Sequence, residues 1–289
     1  MKMAPLQQVK KTNKTWNMVA NVLIITLLLV LALAQIFPFY LQIVTSLQPT
    51  EGFTPIDGKI YLWPVKACFE NYFQAIEEGE LLEGLKNTLI VSCSFVILSV
   101  IVIILVGYVT SKKKFRGRKL VTFMLLLTMM VPGELLMVTN YQLVSSLGWT
   151  STFRGLILPG IVNVSGIFLV RAFMNSVPDA CIESAKIDGA NEIKILALIV
   201  FPMCLPVVAT YSVLTFVAQW NEYLWPMLIT GDPELYTIQL KLYNFPDYGF
   251  EGTVLRSASL ILTLLPVVIM YCFCQKQFVS GLNFSGVKE

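Results

Sequence analysis

The feature that most constrains this chain is a set of six uncharged apolar runs, at residues 19–39, 87–111, 121–133, 155–170, 195–221 and 257–275. About 17–25 apolar residues suffice to cross hydrocarbon as a helix, and most of these runs reach that length. The third does so only by continuing through Glu134 to Val138, and the fourth ends at Arg171, whose long stem can snorkel to a headgroup layer. The expected fold is an all-α polytopic membrane protein with six transmembrane helices. Composition agrees: of 289 residues 56% are hydrophobic and 13% charged, against about 25% charged in an ordinary soluble domain.

Charge placement predicts direction. Lys2, Lys10, Lys11 and Lys14 precede the first run, and Lys112 to Lys119 form a basic loop after the second. Both belong on the cytoplasmic side, since loops rich in Lys and Arg stay inside. The opposite loops are acidic, with Glu51, Asp57, Glu70, Glu77, Glu78, Glu80 and Glu83 after the first run and Asp232, Glu234, Asp247 and Glu251 after the fifth. Both termini are then cytoplasmic, and the organisation reads as a leader 1–18, one transmembrane domain 19–278 and a tail 279–289. Ala32-Leu33-Ala34 has the form of a signal-peptide cleavage site, but the apolar run continues through Ile36, Phe37, Phe39 and Leu41, too long for such a signal. The basic loop needs only membrane lipid as its counterpart, and the net charge of +3 gives no case for nucleic acid.

The chain has no histidine, which removes Ser-His-Asp and Cys-His relays and His-ligated metals. Six cysteines include no C-x-x-C pair and are read as small buried hydrophobes, not as metal ligands or disulfides.

Residues 175–194, between the fourth and fifth runs, break the pattern. Ser176 three residues before Asp179, with Pro178 in the first turn, predicts a helix start, and that helix should run to Ile187. Gly189 interrupts it, and Asn191 is placed to cap a second helix leading into the fifth run. Ala180, Ser184, Ala185 and Ala190 leave a low-relief surface, and Glu183 can pair with Lys186. Two readings follow from these residues: an amphipathic elbow lying on the bilayer, or a docking knob for a cytoplasmic partner.

The run Glu183-Ser184-Ala185-Lys186-Ile187-Asp188-Gly189-Ala190, followed by Phe201-Pro202 and Leu205-Pro206, resembles the EAA loop of ABC importer permeases, E-A-A-x-x-D-G-A with a later L-P. Asn87-Thr88-Leu89-Ile90, Leu156-Ile157-Leu158-Pro159, Trp220-Asn221-Glu222-Tyr223, Tyr236-Thr237-Ile238-Gln239-Leu240 and the Ser285-Gly286-Val287-Lys288 tail are similar to the carbohydrate branch, in its maltose-type, MalG-like half. Ser184 replaces the second alanine, Leu196 stands where the motif is often aromatic, and Glu222-Tyr223 replaces a frequent Asp-Phe.

The resemblance implies a type I ABC importer permease fold in a prokaryotic cytoplasmic membrane, with a coupling helix-turn-helix inside a loop at 176–206. It implies ATPase-coupling roles for Glu183, Ser184, Ala185, Asp188, Gly189, Ala190 and Leu196. The implied partners are a homologous second permease (MalF-like), a dimer of ATP-binding subunits (MalK-like), an extracytoplasmic solute-binding protein and a carbohydrate substrate. ATP and Mg would sit in the partner subunits, and this chain would hold no cofactor; it carries no G-x-x-x-x-G-K-[ST] phosphate loop.

Gln219, Asn221, Glu222 and Tyr223, about two turns before span five ends, and Glu134 after Pro132-Gly133 are candidates for the translocation path, because a carboxylate at that depth must face protein or water. The bland alternative is an interfacial aromatic belt with a snorkelling acid. The rival function is a proton-coupled secondary transporter using Glu134 and Glu222.

Overall fold

The computed structural model describes residues 14–50, 60–246 and 248–283. The leader lysines Lys2, Lys10 and Lys11, the loop acids Glu51, Asp57 and Asp247, and the tail from 284 lie outside the described residues.

Among the described residues, four helices are long and apolar enough to cross a membrane unbroken. They lie in α1 (Lys14–Ser46), α3 (Leu81–Lys112), α10 (Phe201–Trp220, entered through α9 at Glu192–Ile195 and a π-turn at Leu196–Val200) and α13 (Phe250–Asn283). The third and fourth runs form bent pairs instead, so the described spans number up to six if each pair is one span. In the third run α4 (Arg118–Thr128) meets a 3-10 turn (Gly133–Leu136) and α5 (Met137–Ser146) at 90°. In the fourth, α6 (Phe153–Ile157) with a 3-10 turn (Leu158–Gly160) meets α7 (Val164–Met174) at 49°. Each break adjoins a Pro-Gly pair: the first ends at Pro132-Gly133 and the second follows Pro159-Gly160, and each proline removes a backbone donor. The chain restarts cleanly after the second break, since the Asn163 side chain accepts from the Gly166 N–H at 2.7 Å.

Helices α7 and α10 pack on α3, and α13 joins α10 to α1. One core joins Ile103, Ile104 and Tyr108 of α3 to Ile167, Val170 and Met174 of α7 and to Cys204, Val208 and Tyr211 of α10. The α7–α10 contact is close enough that a Cβ on Gly166 would lie 2.4 Å from the Tyr211 ring. The Tyr211 hydroxyl is buried and bonded to Ser99 Oγ of α3 at 2.6 Å, so a polar pair inside the core fixes the rotamer that Gly166 accommodates. Helix α1 packs on α13 and otherwise presents its apolar side chains outward, as a lipid-facing helix does.

At the end of α3 opposite the basic loop, α2 (Glu70–Glu78) ties the end of α1 to the rest of the bundle. Its buried Asn71 amide donates to the carbonyls of Ser46 and Gln48, both at 2.8 Å, which satisfies backbone acceptors where α1 ends. Of the five cysteines with described side chains, only Cys204 is buried. Cys93, Cys181 and Cys272 are exposed and Cys68 is half-buried; none is in a disulfide. Among these five the buried reading thus holds for Cys204 only: Cys93 and Cys272 lie on outward faces of apolar helices, Cys181 on the exposed face of α8 and Cys68 in a loop.

Gly166→Val should displace Tyr211 and break its bond to Ser99, costing about 1–3 kcal/mol through overpacking. The expected outcome is a lower thermal midpoint of the detergent-solubilised chain, larger than that of Ser99→Ala.

Candidate functional site

The segment between the fourth and fifth runs is an elbow. Helix α8 spans Asp179–Ile187 and Asn191 caps α9, accepting from the Lys194 N–H at 2.9 Å, both as the sequence predicts. Gly189 turns the chain with φ +78°, in the left-handed region that side chains resist. The Ala190 N–H reaches back to the Ala185 carbonyl at 2.9 Å and the Gly189 N–H to Lys186 at 3.1 Å, closing α8. The start of α8 differs from expectation. Pro178 is the N-cap and the Ser176 hydroxyl donates to the Phe173 carbonyl of α7 instead, since two intervening residues hold it outside the turn.

The two faces of the elbow differ. Ile182 and Ala185 are buried in the core shared with α3, α7 and α10, and Ala190 and Leu196 pack against it. Glu183, Ser184, Asp188 and Gly189 are exposed. So are two large apolar residues at the tip, Ile187 at 87% and Ile193 at 78%, which the sequence reading passed over. Two isoleucines flanking Gly189 in an otherwise small and charged segment are the sequence signal that could have found them. Glu183 does not pair with Lys186, whose ammonium lies 3.7 Å from Glu192 across the bend.

The elbow is held by the basic end of α3. Lys112, nearly buried, donates to the Val177 carbonyl at 2.6 Å and to Asp179 at 2.7 Å, closing the link from α7 to α8. This hydrogen bond, and then the Lys112 charge, holds the Asp179 carboxyl below its ordinary range. Lys113 pairs with Glu192, which also accepts from the Tyr108 hydroxyl at 2.8 Å. Lysines that read as membrane anchors therefore have partners in the elbow.

The polar residues near the end of the fifth run separate. The helix stops at Trp220, so Glu222 lies in a break before α11 (Leu224–Ile229) and not inside a continuous span. One carboxylate oxygen accepts from the N–H groups of Leu224 and Trp225 at 3.0 and 3.1 Å, capping α11. Gln219 and Glu222, three residues apart, share a cleft of about 490 Å³ with Asn140, Asn163 and Trp225. Gly133, Pro159 and Gly160 line it too, so both Pro-Gly breaks and the break at Asn221 meet there. Trp225 is fixed in that wall by its indole N–H, which donates to the Gly155 carbonyl at 3.0 Å. Asn221 faces a different cleft of about 340 Å³, beside Gln42 and Gln239. Tyr223 stacks on Tyr243 with ring centres 6.0 Å apart. Glu134 stands exposed on the 3-10 turn, and among the described residues its carboxylate makes no hydrogen bond. Asn140, Asn163 and Gln42 were missed; Gln42 is a lone amide in an apolar run, whereas Asn140 lies among Thr139 and Gln142 and carries no such signal. No group of three or more His, Cys, Asp or Glu that could hold a metal occurs among the described residues.

Glu222→Ala should remove the cap of α11 and destabilise the chain by about 1 kcal/mol, whereas Glu222→Gln keeps an acceptor and should cost less. Thermal midpoints of the two variants in detergent check this; equal losses would mean that the cap contributes nothing.

Three comparisons bear on this geometry. The arabinooligosaccharides transport system permease protein AraQ of Bacillus subtilis (strain 168) is 29% identical over 262 residues, covering 90% of this chain and 93% of that one. The melibiose/raffinose/stachyose import permease protein MelC of the same organism is 29% identical over 272 residues, covering 92% and 96%. A chain in the crystal structure of a bacterial ABC transporter involved in the import of the acidic polysaccharide alginate superposes with TM-score 0.83 at 24% identity, covering 95% of this chain and 100% of that one. The fold is thus that of an ABC importer permease. The model of the binding-protein-dependent transport system inner membrane component matches residues 87–281, and the chain belongs to that family.

Proposed function

We propose that this chain is one transmembrane subunit of an ATP-driven sugar importer, with the basic end of α3 and the elbow on the cytoplasmic side and the acidic loops outside. The observation that carries the reading is the elbow itself. It is rigidly rooted through Ile182 and Ala185, yet it offers Ile187 and Ile193 uncovered beside a sharp bend. An apolar tip held above the membrane surface by charged neighbours suits a protein cleft better than a headgroup layer. The occupant of the other side is a dimer of ATP-binding subunits. This chain has no phosphate loop of its own, so hydrolysis belongs to that partner.

Mechanically, closure of the ATPases on nucleotide favours one arrangement of the elbow and so one arrangement of the helices above it. A nucleotide shifts this equilibrium only through contacts that differ between the two states. Glu183, Ser184, Asp188 and Gly189 contact the partner; Ala185, Ala190 and Leu196 act from behind, seating the elbow on its own core. The cleft holding Gln219, Glu222, Asn140 and Asn163 forms this subunit's share of the path, completed by a homologous second permease. Trp225 supplies an apolar face and the amides and acid supply hydroxyl partners, the combination that neutral oligosaccharides need. Relatives named for arabinooligosaccharides and for melibiose, raffinose and stachyose support that solute class, delivered by an extracytoplasmic binding protein. The proton-coupled alternative loses ground because Glu222 is engaged in capping a helix and Glu134 stands apart from the cleft.

Gly189→Pro should uncouple the importer. Proline cannot adopt φ +78° and would delete the N–H that bonds Lys186, while insertion in the membrane needs neither. With the tagged complex in proteoliposomes, the ATPase should co-purify with the unaltered chain, and the variant should lower uptake per ATP hydrolysed by at least about ten-fold. An unaltered chain that never captures an ATPase, or a variant that transports normally, would defeat the reading.

A further inference from the structure

We propose that α3 is a connecting rod: latched to the elbow at one end and to the 233–243 segment at the other, it carries motion of the coupling elbow to the outer surface of the permease, with Lys113 and Glu192 as positioning residues of the latch. The proposal rests on the coupling role given to the elbow above and adds the route by which its movement leaves it.

At the basic end the latch is double. Lys112 grips Asp179 where the elbow begins and Lys113 grips Glu192 where it ends, so the last residue of α3 and the C-cap that follows it hold both limbs of the bend. The Tyr108 hydroxyl adds a third hold on Glu192 at 2.8 Å. Two tethers on either side of Gly189 prevent the limbs from opening independently of α3; a single tether would let the elbow swivel.

At the far end α3 is latched again. The Asn87 amide donates to the carbonyls of Glu234 and Tyr236 at 2.7 and 3.1 Å, and the Thr88 hydroxyl accepts from the Ile238 N–H at 2.7 Å. These bonds seize the backbone of a segment 147–150 residues away in sequence, running into α12 (Ile238–Tyr243), and both side chains are buried. The nearly buried Lys241 of α12 pairs with Glu80, just before α3 begins. Helix α3 is unbroken over its 32 residues and has no proline, and at 1.5 Å per residue the stretch between the two latches is about 37 Å long. The helices of the third and fourth runs are broken and α10 contains Pro206. Among the described residues α3 is the long helix free of such a joint that is fastened at both ends, and a rod without a joint transmits displacement.

The test uses the complete complex in lipid nanodiscs, with Glu234→Cys on a chain whose own cysteines are replaced by serine and a water-soluble maleimide as probe. Labelling at 234 is timed with and without ATP and vanadate. With the latch intact, nucleotide should change the labelling rate by about three-fold or more, as a shift between two populated states would. Lys113→Glu and Glu192→Lys should each abolish the change while the ATPase still co-purifies, and the double swap should restore most of it. Should the charge variants fail to fold or to insert in the membrane, Tyr108→Phe, which removes one hydroxyl, carries the test with a reduced response. The rod is overturned by an assembled complex in which single variants respond like the unaltered chain, in which the swap restores nothing, or in which the unaltered chain shows no response at 234. It is also overturned if the single variants shed the ATPase, which would make these residues part of the docking surface. Failure of the unaltered chain to bind any ATPase would instead sink the coupling reading beneath it.

Discussion

Everything mechanical in this chain depends on one apolar core that runs without interruption from the membrane-spanning helices into the elbow. Ile103 and Ile104 of α3 and Val170 and Met174 of α7 continue through Val177 to Ile182 and Ala185 of α8 and back through Ile195 and Val200 to α10. Burying an aliphatic side chain stabilises by about 1.5–3 kcal/mol, so the two elbow residues alone anchor α8 more firmly than exposed ion pairs could. The ion pairs contribute orientation. Lys112 and Lys113 fix where the elbow points, and the core fixes that it cannot detach. In the proposed coupling an elbow on a solvated loop would absorb a push, whereas one seated on the helix core would pass it on.

The division between legible and illegible features follows the range of the interactions. Four unbroken spans were readable because a run such as 87–111 has no other stable solution in lipid. The end of α8 at Ile187, the turn at Gly189 and the cap at Asn191 were readable because each is decided within four residues. The error at Ser176 is of the same local kind: two residues compete for one cap, and Pro178 already supplies the extended backbone that precedes a helix. By contrast, Lys112 meets Asp179 across 67 residues and Tyr108 meets Glu192 across 84. No periodicity announces such pairs, and lysines before a helix turn have a sufficient explanation in membrane orientation. The six-run count was legible, but the 90° and 49° bends were not, since a proline followed by glycine marks a break without stating its angle.

The fate of Glu222 illustrates a second limit. Reading it as a carboxylate inside a span made its solvation the problem to be solved, by water, by sugar or by the headgroup layer. The helix solves it by ending at Trp220, so the carboxylate meets two free N–H groups at the start of α11. The charge is then a structural acceptor whose second oxygen is left over for the cleft. Asn163 has the same dual position, its carbonyl oxygen engaged by Gly166 and its side chain in the cleft wall.

Three interrupted helices converge on that cleft, and the convergence has a physical reason. Irregular backbone at membrane depth is tolerated only where it is buried in protein or lines a cavity, because lipid cannot satisfy the freed N–H and C=O groups. The breaks at Gly133, at Pro159-Gly160 and at Asn221 could each have been placed against lipid only at a cost of several kcal/mol per group. Gathered around one cleft, they satisfy some of these groups with Asn163 and Glu222. The remaining polar surface faces a space where a hydroxyl-rich solute would find partners. A barrier made of unbroken apolar helices would have none to offer, so the same interruptions that weaken the spans as simple membrane anchors suit the polar route proposed for this cleft.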